Sequence, residues 1–440
     1  MRLLVVTVTV LVMSAAVLAP PLQAVLPMAA GAGDSATVVS DSTEVFPEEM
    51  KARETWENVV SLPGIILYAP FWAVFKLTEQ AIALQSRYRI GNRVAALVIS
   101  PDGSRGLIPV YSSRGGLGLN FFKKHIPNEA ARFNLAASWG RLGRSLYQAR
   151  LRRLEAGPLS FGGQLIYRNM PDERFYGFGS NSLDSDETNY QIKTATAEAA
   201  IARWFTERLV VGVIAGVDNS RTGAGKADTS PSTTDVYGDS LPGLGDDITV
   251  GRVMLGVIYN GANRRVRPSN GFTVEARIRV DHELSNGPFA YSTGFLDVIK
   301  YIGLKRNRTL FLRGAFRSSD RLTDKEIPFY ETSQLGSQET IRGFHRNRFR
   351  DLDAILGTVE YRYPISAMID ALLFVDAGQV QRDVFQDFSS NDTQWVFGAG
   401  FRVWKMDGSL IRLELGVGED GAKILFQLNP SSDRRTFEYF

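Results

Sequence analysis

Between residues 105 and 429 apolar and polar side chains alternate with a period of two, and no other property of the chain narrows its possible folds as far. In residues 273–281, Val274, Ala276, Ile278 and Val280 alternate with Glu275, Arg277, Arg279 and Asp281, giving an extended chain one apolar and one charged face. Gly357, Val359, Tyr361 and Tyr363 alternate likewise with Thr358, Glu360 and Arg362, and Ile411, Leu413, Leu415 and Val417 with Arg412 and Glu414. A single strand of this kind suits a soluble sandwich, with its charged face in water, as well as a membrane barrel, with its apolar face in lipid.

The whole set of strands separates the two. Sixteen segments carry the pattern: 106–112, 116–124, 131–139, 145–154, 159–169, 189–204, 207–218, 249–260, 271–283, 288–301, 306–317, 353–363, 368–380, 394–404, 409–418 and 422–429. Connections after odd-numbered segments include the long stretches 170–188, 219–248, 318–352 and 381–393. Those after even-numbered segments are turns such as 205–206, 302–305, 364–367 and 405–408, with 261–270 as the exception. A sandwich has no reason to sort loop lengths by parity, whereas an outer-membrane barrel has short periplasmic turns and long extracellular loops. The expected fold is all-β, a 16-stranded antiparallel transmembrane β-barrel with a short helical N-terminal segment. Closure follows from the solvent, since each unpaired backbone group in lipid costs about several kcal/mol.

The N-terminus reads as an export signal. Met1-Arg2 precedes a charge-free run to Met13, and Leu22-Gln23-Ala24 offers a cleavage site, so residues 1–24 are expected to be a signal peptide. Residues 25–50 are small, polar and acidic, and are expected to form a disordered linker. Residues 51–86 read as an amphipathic, helical periplasmic or interfacial segment; the charge-free stretch 58–75 is interrupted by Pro63-Gly64 and Pro70, which unsuits it to spanning a bilayer. The barrel is then expected over 87–429, with a tail over 430–440.

Composition removes several function classes. The chain has no Cys, which excludes disulfides and thiol chemistry, and 50 Lys and Arg against 47 Asp and Glu give no basic excess for nucleic acid. His125, His282 and His345 are far apart, and there is no G-x-S-x-G elbow. Asp281-His282-Glu283 is expected to be a solvated cluster, and Gly115-Gly116-Leu117-Gly118 to be strand glycines. The acidic residues Asp228, Asp235, Asp239, Asp246 and Asp247 have the spacing of no calcium motif. The chain is not expected to be an enzyme, and no cofactor or metal is called for.

The most specific signal is Ile341-Arg342-Gly343-Phe344, followed by His345-Arg346-Asn347-Arg348-Phe349-Arg350. The run resembles the arginine-glycine-phenylalanine motif of the bacterial surface antigen family, the superfamily of the barrel-assembly insertase and the two-partner secretion transporters. Phe374-Val375-Asp376-Ala377-Gly378 is similar to that family's F-x-D-x-G, and Glu360-Tyr-Arg-Tyr-Pro364 and Arg174-Phe-Tyr-Gly-Phe-Gly179 extend the resemblance to residues 87–429. It implies that the loop folds back into the lumen and that Arg342, with Gly343 and Phe344, clamps it against Asp376, Gly378 and Glu360. Glu360 also lies on the polar face of its strand; Asp376 shares its face with Leu372 and Phe374.

The chain differs from the family in two places. Residues 25–104 have room for one polypeptide-transport-associated (POTRA) domain at most and do not look like one, and twelve residues, ending at Phe440, follow Leu428 of the last strand. The expected function is protein insertion or translocation at the bacterial outer membrane, with a passive or gated, porin-like small-solute channel as the alternative. Expected partners are outer-membrane lipid and lipopolysaccharide, unfolded polypeptide substrates, and the barrel-assembly machinery for the chain's own insertion.

Overall fold

The computed structural model describes residues 98–428 apart from 113–114, 265 and 406–407. The signal, linker and helical segments expected over 1–86, and the tail over 430–440, lie outside the described residues. Two units divide the chain, Met1–Pro101 and Asp102–Phe440, and every strand below belongs to the second.

Along the chain come β1 (Arg105–Ser112), β2 (Gly116–Lys124), β3 (Arg132–Trp139), β4 (Ser145–Ala156), β5 (Leu159–Phe175) and β6 (Thr188–Trp204). Next are β7 (Leu209–Ala224), β8 (Asp247–Asn260), β9 (Gly271–Glu283), β10 (Ala290–Gly303) and β11 (Thr309–Arg321). A small hairpin of β12 (Ser333–Leu335) and β13 (Phe349–Asp351) interrupts the series, which resumes with β14 (Asp353–Pro364), β15 (Ile369–Gln381), β16 (Gln394–Lys405), β17 (Gly408–Gly418) and β18 (Gly421–Leu428). All but β12 and β13 form one 16-stranded sheet in chain order, with antiparallel neighbours throughout.

Burial identifies the solvent on each face. On the outward face Leu117 is 72% exposed and Ile278 54%, while on the inward face Asp281 and Asp376 are 0% exposed. A soluble sheet does the opposite; this one presents its apolar face to lipid and encloses its charges. Contacts between distant strands show the sheet curling around an interior. The Ser180 hydroxyl, in the β5–β6 connection, donates to the carbonyl of Val380 in β15 and accepts from its N–H, both at 2.8 Å. Among the described residues no helix is long and apolar enough to cross a membrane.

Several strands run further than the alternation predicts. β5 continues to Phe175 past a register shift between Met170 and Glu173, so Arg174 and Phe175 are strand residues and not loop residues. Pro171, which has no N–H to donate, sits at that irregularity. β7 likewise continues to Ala224 and β11 to Arg321. These extensions leave extracellular connections of 176–187, 225–246, 322–352 and 382–393.

The interior holds apolar clusters as well as charge. Leu335, Ile341, Phe344 and Phe349 of the long connection pack on Leu356, Leu372, Phe374 and Val396 of the wall. A second cluster joins Phe329 and Tyr330 to Phe175, Tyr190 and Ile248 on the far side. The loop therefore crosses the lumen and is packed against both sides.

Candidate functional site

The path of the loop depends on two glycines where nothing else fits. Gly336, at φ +96°, ends β12; a Cβ there would fall 2.3 Å from the carbonyl oxygen of His345. Gly343, also at φ +96°, brings its backbone against β16 and β17, where a Cβ would meet Val396 and Gly416 at 3.0 and 3.2 Å. The wall is glycine at that point too, since a Cβ on Gly416 would lie 3.0 Å from the Cα of Gly343.

Arg342 is thereby inserted among three strands and is 3% exposed. Its Nε donates to Oδ2 of Asp376 at 2.7 Å and its Nη2 to Oδ1 at 2.8 Å, a bidentate pair to which its own backbone N–H adds a third bond at 3.1 Å. Nη1 donates to Glu360 at 2.7 Å and approaches Glu414 at 3.5 Å. The guanidinium lies over the Phe374 ring, 3.5 Å from its centroid, and Thr358 donates to Asp376 at 2.9 Å. Burial works against the charged form of Arg342, but the hydrogen bond and charge of Asp376, with Glu414 and Glu360, hold its pKa well above the ordinary arginine value.

The wall balances its own charge without the loop. Arg362 donates to Glu360 and Arg412 to Glu414, at 2.7 and 2.6 Å, and Arg402 stands 3.4 Å from both acids. Those three arginines match Glu360, Asp376 and Glu414, and Arg342 adds one positive charge.

All six residues expected to form the clamp converge here. Phe344 fills the apolar cluster edge-on to Phe349, with centroids 4.9 Å apart. Gly378 makes room for the loop, since a Cβ there would sit 3.0 Å from Ile341 and 3.1 Å from Leu335. The neighbouring arginines are engaged too. Arg348 donates to Asp420 at 2.8 Å and to the carbonyl of Ser182 at 2.8 Å. Arg350, 1% exposed, donates to the carbonyl of Phe329 at 2.6 Å, and Arg346 faces Glu173 at 3.5 Å.

A second anchor, on the opposite wall, reverses the charges and was not foreseen from the sequence. Glu331, in the turn Phe329–Glu331, accepts from Arg279 at 2.6 Å. Arg279 and Arg252 share Asp281, at 2.6 and 2.7 Å. Asp281 and Glu283 are therefore buried lumenal groups and not the solvated cluster expected; they face inward at alternate positions of β9, while His282 between them is exposed. Burial alone would raise the pKa of Glu331, but Arg279 and then Arg252 overrule it and hold it at about 2.

Beside the first anchor remains a cavity of about 100 Å³, bordered by Asp297, Arg313, Arg342, Glu360, Arg402 and Arg412. Arg313 closes one side by gripping Asp297 through Nε and Nη2 and the carbonyl of Glu339 through Nη1. That volume is on the order of three waters.

Comparison with known proteins gives a match between residues 112–424 and the Omp85 superfamily domain. BamA from Haemophilus ducreyi lacking POTRA domains 1–3 is similar in structure at a TM-score of 0.55 and 16% identity, over 74% of this chain and 69% of that one. CdiB from Acinetobacter baumannii matches at a TM-score of 0.47 and 11% identity, over 75% of this chain and 57% of that one. CdiB from Escherichia coli matches at 0.48 and 10%, over 73% and 61%.

Proposed function

The chain belongs to the Omp85 superfamily, as a β-barrel of the bacterial outer membrane, and from that premise we propose that it inserts or translocates polypeptides at that membrane. The observation that carries this reading is the loop that crosses the lumen. A diffusion pore needs a continuous aqueous path, whereas here the 322–352 loop crosses the interior and leaves about 100 Å³ at its main anchor. In this reading Arg342, Gly343, Phe344, Glu360, Asp376 and Gly378 hold the loop in place and do no chemistry on a substrate. Substrates are unfolded polypeptides, handled where the barrel meets the membrane or when the loop moves.

The charged interior taken alone would suit a small-solute channel, and the experiment separates the two. Depletion of the protein, followed by proteomics of the outer membrane and the medium, should lower a defined set of barrel or secreted polypeptides. An unchanged protein inventory with slowed solute uptake would overturn the proposal in favour of a channel.

A further inference from the structure

The 322–352 connection bends into the lumen, whereas another extracellular connection, 382–393 between β15 and β16, turns the other way. It reads Arg-Asp-Val-Phe-Gln-Asp-Phe-Ser-Ser-Asn-Asp-Thr, with two phenylalanines set among polar residues at the mouth of the barrel.

Alternation fixes the side on which it lies. On β14 Val359 faces lipid at 49% exposed, and Asp353 and Ile355 share its parity. The pairings of Phe316 with Ile355 and of Ser318 with Asp353 put both β11 residues on the same outward face. Asp353 is nevertheless buried, because the loop has come over the rim to meet it. The Ser318 hydroxyl donates to Asp353 at 2.6 Å, and the N–H of Val384, itself buried, donates to it at 3.1 Å. The next residue, Phe385, lays its ring against Phe316 with centroids 5.3 Å apart.

The turn that carries the rings is braced. Asp383 accepts from the N–H groups of Phe385 and Gln386 at 3.0 and 3.1 Å, and its carbonyl accepts from the N–H of Asp387 at 2.8 Å. At the far end Asp392 accepts from Asn181 and Gln381 at 2.8 and 3.0 Å. Held in this way, the turn presents Phe385 at 77% and Phe388 at 58% exposed. Two bare rings on an ordered turn are unfavourable in water, but in lipid they extend the apolar surface that Phe316 and Ile355 begin.

The height agrees. Tyr361 and Tyr363, at the periplasmic end of β14, mark one interface, and Ile355 lies six positions above Tyr361. At about 3.3 Å per residue and a tilt of about 40° that is about 15 Å, within an apolar band about 25 Å tall. Phe385, stacked on the neighbour of Ile355, therefore lies in the outer half of the bilayer.

We propose that the 382–393 connection is a membrane hook, burying Phe385 and Phe388 among the acyl chains of the outer leaflet of the bilayer that the barrel spans. It ties to the surrounding lipid the rim of β14 and β15, the strands that bring Glu360, Asp376 and Gly378 to the clamp.

The chain has no cysteine, so a single nitroxide label can be placed at a chosen residue. In the full chain, Gln386→Cys is labelled and reconstituted in nanodiscs of phosphatidylethanolamine and phosphatidylglycerol. Its label should collide more often with oxygen, which concentrates among acyl chains, than with a water-soluble nickel chelate. The same label at Val236, an exposed residue of the 225–246 connection, should show the opposite order. Adding Phe385→Ser and Phe388→Ser should shift the ratio of collision rates at 386 toward that at 236 by at least about threefold. Heat-dependent gel migration serves as the check that each variant is folded. Equal ratios at 386 and 236, or an unchanged ratio in the folded double-serine variant, would overturn the hook. Poor access of both reagents to 386 would place the rings against protein, this chain or a second copy, and overturn it as well.

Discussion

Gly343 and Gly416 meet backbone to backbone where the loop touches the wall, so closely that a methyl group on Gly416 would lie 3.0 Å from the Cα of Gly343. The loop depends on a missing side chain at each place. Gly416→Ala should displace the RGF segment and open the loop to added protease, with the barrel itself intact. Gly343→Ala adds the strain of a positive φ, about 1–3 kcal/mol, and should act more strongly. Equal protease resistance of both variants and wild type would show that the contact does not hold the loop.

Removing Arg342 leaves Asp376 buried without its bidentate partner, a loss of about 3–5 kcal/mol in comparable pairs, while Glu360 keeps Arg362. Strand pairing holds the barrel, so the effect should appear as loop release and impaired function rather than unfolding. Arg342→Ala and Asp376→Ala should give similar defects, and the double variant little more than either. Arg342→Lys should rescue in part, because it keeps the charge but loses the fork that spans both carboxylate oxygens. Additive defects in loop proteolysis would contradict a direct pair.

Acid should loosen the second anchor. The pKa of Glu331 is lowered from 4.5 to about 2 in the docked loop, so its contribution is fully present above about 4.5 and is lost as pH falls through about 2. Loop release followed by a fluorophore near Tyr330 should therefore rise across that window. Glu331→Gln should raise release at neutral pH and flatten the response between 4.5 and about 2. A Gln variant that keeps the wild-type profile would assign the acid response to the carboxylates around Arg342.

Planar-bilayer recordings should give small, flickering conductance for the intact protein, because the lumen is crossed. Deleting residues 334–350, which removes Arg342, Phe344, Arg348 and Arg350 together, should raise it. A large and steady current in the intact protein would place the loop elsewhere.

In sodium dodecyl sulfate gels the unboiled protein should migrate faster than the boiled one, since a closed set of strands resists detergent until heated. Recovery from the soluble periplasm would be incompatible with the outward apolar face of Leu117 and Ile278.

How far the sequence revealed this arrangement depended on which solvent each segment meets. Strands within the bilayer alternate strictly because lipid and lumen differ so much, and β2, β9 and β14 emerged almost to the residue. Beyond the bilayer the contrast fades. The upper part of β5 buries Phe175 among aromatics and passes a proline, so it looked like a loop. Asp376 seemed poorly placed because Leu372 and Phe374 share its face, and the reason is that the loop brings apolar side chains of its own into the lumen. Glu414 lies 72 residues from Arg342 and was visible only as a polar-face residue. Glu331 was hidden by the basic run that follows it; a single acid beside aromatic residues carries no sign of the arginines waiting on β8 and β9.

The opposed anchors also bear on the order of assembly. Arg342 finds its acids on β14, β15 and β17, all made after the loop, whereas Glu331 finds its arginines on β8 and β9, made before it. The segment is thus a basting stitch between the two ends of the chain. Ser180 and Val380, 200 residues apart, can meet only when the early and late strands have come together. Contacts of such long range form slowly. A ribbon of strands that curled up before the loop lay across it would leave Asp376 without Arg342 and Arg279 without Glu331, so the two anchors favour docking of the loop while the barrel is still open.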